Sequence, residues 1–195
     1  MADHLDATRA AANLVAFASG MGISVHLHTI IYDTGYESPI THAYKDLPGL
    51  CTAYPMPATN REESELIQFI FLQAVADDTF SMALNDLIEA ISFPHNGTFY
   101  CARALDGLRH LIAPGALKKE DGWRAVQKAL NASAAHLRHI SKSSEGIRHA
   151  DLSMRAATDA EDITKRMWIL MNRYLVLKLR GLDYLSGPEF PLLDS

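Results

Sequence analysis

From residue 60 to residue 181 apolar side chains recur every three to four residues, and Pro, Gly or Asp cuts the pattern into pieces of helix length. That period turns one face of each piece toward a core, so the chain is constrained to pack helices against helices. Phe80, Leu84, Leu87 and Ile91 form one stripe that stops at Pro94, and Cys101, Leu105, Leu108 and Ile112 form the next, which stops at Pro114-Gly115. Trp123, Val126, Leu130, Ala134 and Leu137 continue in phase as a further helix. Thr158 and Glu161 read as a capping box opening a last long helix to Arg180, with Ile163, Met167, Leu170, Tyr174 and Leu177 as its seam and Gly181 as its stop. Residues 66–75 are apolar almost all round, which predicts a central, buried helix punctuated by Asp77 or Asp78.

The N-terminal third has a different grain. The Ala-rich run 6–19 favours helix. Ile23, Val25, Leu27 and Ile31 then alternate with polar residues, the period of a half-buried strand, and Asp33-Thr34-Gly35 turns the chain toward a return strand at 36–40. Pro48, Gly49, Pro55 and Pro57 mark an irregular connection. The expected fold is mainly α, a bundle of about five to six helices with a small N-terminal β-hairpin. It forms a single domain over residues 1–181, made of an N-terminal segment (residues 1–58) and a helical core (residues 59–181), followed by a tail at 182–195 that docks by its apolar residues or frays.

Composition narrows the function classes. A formal net charge of -5 gives no global basic field for nucleic acid, so any such contact needs a local patch. No apolar run approaches the ~20 residues of a membrane span. The first residues carry acids where a signal peptide carries positive charge, so a cytoplasmic protein is expected. Cys51 and Cys101 lack metal or redox spacing and read as ordinary thiols, and no cofactor motif occurs. Asn96-Gly97-Thr98 and Asn131-Ala132-Ser133 match the glycosylation sequon, a match that is frequent by chance and has no meaning without secretion.

Three Arg-His dipeptides stand out, at 109–110, 138–139 and 148–149. Arg can grip a phosphate by paired hydrogen bonds and His can move a proton near neutral pH, the two functions that metal-independent RNA cleavage needs. Arg148 and His149 lie in a polar connection, "IRHAD", ahead of the last helix, which runs on as "MWILMNRYLVLKLRG". On that layout the chain, from about Asn60 to Gly181, resembles the HEPN class of small helical domains. The resemblance implies a homodimer and RNase activity of the toxin or defence kind, carried by an Arg and a His four to six residues apart near the final helix. Arg148 and His149 are adjacent, and His149 to Arg155 has a compatible gap in reversed order. Arg103 and His110 satisfy the spacing in an earlier helix, where an Arg103–Asp106 surface pair is the plainer reading.

Arg155, Lys165, Arg166 and Arg173 would extend a basic binding strip along the last helix, interrupted by Asp159, Glu161 and Asp162. His26 and His28 share one face of the expected strand and could bind a metal if His4, His42 or Glu37 supplied a third ligand. Trp123, Trp168, Met167 and Met171 fall on apolar stripes and are expected in the core. Three function classes follow: a HEPN-like module that holds a partner, a nucleic acid or a ligand without catalysis, an RNase using an Arg/His pair, or a structural or regulatory protein-binding protein.

Overall fold

The computed structural model describes residues 2–19, 22, 29–31, 37–39, 60–93, 96–144 and 157–194. In chain order the elements are α1 (Ala2–Ser19), β1 (Thr29–Ile31), β2 (Glu37–Pro39), α2 (Asn60–Ala76), α3 (Asp78–Ser92), α4 (Gly97–Ile112), α5 (Lys119–Leu130), α6 (Ala134–Lys142) and α7 (Ala157–Leu179). The protein is mainly helical. The two short strands pair antiparallel with Thr29 opposite Pro39 and Ile31 opposite Glu37. The hairpin expected over residues 23–40 falls largely outside the described residues, His26 and His28 included, as do His42, Arg148, His149 and Arg155.

Local chemistry sets several of the boundaries. Asp77 ends α2 and caps α3, its carboxylate accepting from Thr79 N at 2.9 Å and Phe80 N at 3.1 Å, which satisfies two of the four amides a helix start leaves open. Phe80, Leu84, Leu87 and Ile91 are all buried as their spacing requires. α4 lies close against α3 because position 107 is Gly: a Cβ there would stand 2.8 Å from the Cβ of Ala83. Cys101, Leu105 and Leu108 then complete this inner layer.

The central element differs from the expected one. α7 packs against α2, α3, α4, α5 and α6. It buries its whole seam together with Trp168, Met171, Leu175 and Val176, and Phe17 of α1 stacks on Trp168 at 4.5 Å. α2, expected at the centre, is peripheral. It presents Ile70 and Ala74 to the core, while Leu72 and Val75 remain 55% and 58% exposed. An all-round apolar helix can be buried on every side, but only the number of neighbours decides, and α2 packs on α1, α3 and α7.

The stretch read as one helix over 121–141 is two, giving seven helices among the described residues. Asn131 closes α5 in the left-handed region at φ 47°, and Ser133 caps α6 by accepting from His136 N at 3.0 Å. The last helix starts at Ala157, so Thr158 lies one residue inside it and not at its cap. The tail docks. Leu193 N donates to Asn131 O at 2.9 Å, Ser133 N donates to Leu193 O at 2.8 Å, and Leu185 N donates to Ala129 O at 2.9 Å. Asn131 also donates its side-chain amide to Phe190 O at 2.8 Å.

Candidate functional site

Two faces of α6 carry the chemistry. On one, α5 contributes Glu120, Trp123, Arg124 and Gln127 and α6 contributes Ala134, Leu137, Arg138 and Ser141. Both sets follow the i, i+3, i+4, i+7 rule for a single helical face, and the turn at 131–133 sets the faces toward each other. They wall an open groove of about 300 Å³. Trp123, expected in the core, is half-buried in this wall, with the Arg109 guanidinium 5.4 Å and the Lys119 ammonium 6.0 Å from its ring centroid. Arg124 pairs with Asp121 at 3.1 Å, and Arg138 donates its Nε to Ala134 O at 3.2 Å.

The other face of α6 meets the first turns of α7. Asp162 Oδ2 accepts from Arg166 Nε at 2.6 Å and lies 3.4 Å from His139 Nε2, so one carboxylate oxygen holds both a guanidinium and an imidazole at the solvent edge. Burial raises the Asp162 carboxyl, while Arg166 and then His139 lower it; these two partners prevail and hold it below its ordinary range. A carboxylate that orients a solvent-facing imidazole beside a guanidinium is suited in kind to proton transfer next to a phosphate.

One turn back on α6, His136 is buried. Its Nδ1 lies 3.3 Å from Arg166 Nη1 and 3.4 Å from the Asp194 carbonyl, while Nε2 is buried without a hydrogen-bond partner among the described residues. A guanidinium only donates and a carbonyl only accepts, so the neutral ring satisfies one of them at a time. Burial lowers the pKa of His136, the Asp194 carbonyl raises it and Arg166 and Arg173 lower it again, with a net downward shift. Below the unfolded value of 6.5 the unfolded chain therefore binds a proton that the folded chain refuses, and stability is lost as pH falls toward the folded pKa. Urea midpoints of wild type and His136→Asn measured from pH 7.5 to pH 5 should diverge, the wild type losing stability relative to the variant as pH falls, because every other titrating group is common to both proteins. An equal slope in both proteins would assign the acid sensitivity elsewhere.

The sequence candidates are dispersed. Arg103 and His110 share α4, but seven residues at ~1.5 Å each set them about 10 Å apart along its axis. Arg103 reaches across to Asp86 of α3 at 3.2 Å, and Asp106 is taken by Arg109 at 3.4 Å, so the expected Arg103–Asp106 pair is replaced by these two. His110 Nε2 lies 2.9 Å from Arg109 Nη2. On α7, Lys165 bonds Glu161 at 2.5 Å and Arg166 is engaged as described. Arg173 is 7% exposed, and its Nη1 donates to Leu130 O at 2.8 Å and Asn131 O at 3.1 Å while Nη2 donates to Pro191 O at 2.6 Å. Of the last-helix cations among the described residues, Arg166 shares Asp162 with His139 at the solvent edge.

Elsewhere, burial pushes the Cys101 thiol up to about 12, against a contact with Thr164 at 3.6 Å that lowers it, which disfavours the thiolate form that nucleophilic attack needs. Among the described residues no three His, Cys, Asp or Glu side chains gather as a metal site, and no helix is long and apolar enough to cross a membrane.

Fold and site together define a mainly helical domain with an open groove and a polar cluster on opposite faces of one short helix. The chain belongs to the DUF8168 C-terminal domain family, described as a domain of unknown function, whose model matches residues 67–179, more than half of the chain. No curated protein and no solved structure matches it. The matched span contains both faces of α6 and ends with α7.

Proposed function

We propose that this chain is a HEPN-like helical binding module that works as a homodimer and holds a partner or ligand without transferring atoms. The observation that supports this reading is the groove between α5 and α6. An apolar floor of Trp123, Ala134 and Leu137, bounded by Arg124, Arg138, Gln127 and Ser141, grips an apolar body and orients one polar group. Self-association is supported by α2, where Phe71, Leu72 and Val75 form an exposed apolar stripe at helical spacing. Light scattering on the purified chain should give twice 21.5 kDa, and Leu72→Glu combined with Val75→Glu should return it to 21.5 kDa. A wild-type mass of 21.5 kDa would remove the dimer from this reading.

A second reading, a metal-independent RNase, is favoured by the His139–Asp162–Arg166 arrangement, in which the imidazole is oriented by a carboxylate and a guanidinium stands beside it. Under this reading single-stranded RNA is cleaved with chelator present, and His139→Ala loses on the order of 10²-fold or more of the rate. Under the binding-module reading the RNA survives intact, and cleavage that His139→Ala abolishes would overturn it.

A further inference from the structure

Resting on the reading of the α5–α6 groove as a holding site, we infer that its occupant is a small aromatic carboxylate, with the ring on Trp123 and Leu137 and the carboxylate on Arg138 and Arg124. Size comes first. An α-helix is ~10 Å across, so about 4 Å of its length, less than one turn, would fill a groove of this volume. At about 300 Å³ the groove is at the small end of ligand sites and suits one ring with a short acid chain.

Charge gives the second argument. The chain carries a net charge of -5, yet this groove has two guanidiniums in its wall and two more cations, Arg109 and Lys119, against Trp123. Asp121 answers Arg124, and Asp106 answers Arg109. Arg138 is held by its Nε on the Ala134 carbonyl, which among the described residues leaves the two terminal nitrogens of the fork for a carboxylate. Glu120, the carboxylate in the lining, is among the residues furthest from the turn at 131–133, whereas Arg124 and Arg138 lie in the middle of each helix face. An anion is therefore drawn to mid-groove, and a cation has only the Glu120 end.

Calorimetric titration of the full chain with 3-phenylpropionate, 3-phenylpropanamide and 3-phenylpropylamine separates the arguments, because the three probes share one body and differ in the head group. The acid should bind at least tenfold more tightly than the amide, the amine should bind least, and Trp emission should change with the acid in wild type but not in Trp123→Phe. Arg138→Gln should reduce the preference for acid over amide several-fold without changing the protein's melting temperature. Equal binding of acid and amide would keep the groove as a holding site and overturn the carboxylate. No binding of any probe would overturn both. Acid binding that weakens as protein concentration rises through dimerisation would assign the groove to a second copy of the chain.

Discussion

Replacing Arg173 with Met should lower the unfolding free energy by about 3–5 kcal/mol, because a buried charge-assisted network loses its donor while its acceptors stay in place. The guanidinium joins three stretches of the chain: its own helix α7, the carbonyls at the C-terminal end of α5 at Leu130 and Asn131, and the tail carbonyl of Pro191. A cation at the C-terminal end of α5 also answers the negative end of that helix. Phe190 lies over the guanidinium at 5.9 Å, so the tail covers the clamp that holds it. Amide exchange should accelerate most at Leu185 and Leu193, whose N–H groups bond Ala129 O and Asn131 O across the same junction. Arg173→Lys should recover less than half of the loss, since a point charge cannot serve three carbonyls as a planar fork does. A loss of under ~0.5 kcal/mol in Arg173→Met, the size of an ordinary surface substitution, would mean that the clamp contributes nothing and that Arg173 is available to a binding partner.

Arg173 also illustrates which features of the chain were legible. It stands three residues after Leu170 and four before Leu177, on the same stripe as two seam residues, so its burial could have been read from the spacing that placed those leucines in the core. Treating it as a member of a basic strip weighed its charge and ignored its face. The break between α5 and α6 escaped for the opposite reason. Leu130, Ala134 and Leu137 stay in helical phase across it, and only the short-range signals of a left-handed Asn131 and a capping Ser133 mark the turn. The punctuation at Asp77 or Asp78 was legible because helix capping is local, although only the structure assigns the cap to Asp77. The pair formed by His139 and Asp162 spans 23 positions and depends on how α6 lies against α7, which no local pattern encodes. The same limit hid the peripheral position of α2, since hydrophobicity around a helix states what can be buried and not how many neighbours arrive to bury it.

Asp86→Asn should make the protein more stable at pH 7.5, by about 2 kcal/mol, and no more stable at pH 4. Asp86 is 5% exposed on α3, and burial pushes its carboxyl up from 3.8 to about 6 against the attraction of Arg103, with Glu89 adding to the rise. Between those two values the folded chain binds a proton that the unfolded chain has released, so wild-type stability falls as pH rises from about 4 to about 6 and stays lowered above. Asn reproduces the uncharged form at every pH and removes that dependence. Arg103 does not reverse the sign, because its side chain is 44% exposed and keeps water as an alternative partner. Urea denaturation of both proteins at pH 4, 5, 6 and 7.5 measures the difference directly, and a variant less stable than wild type at pH 7.5 would show that the ion pair outweighs the cost of burying the carboxylate. The expected result also bears on chemistry: a carboxyl that titrates near pH 6 beside a guanidinium can give or take a proton under working conditions. It makes Asp86, not His110, the partner through which Arg103 would enter any proton transfer at the α3–α4 face.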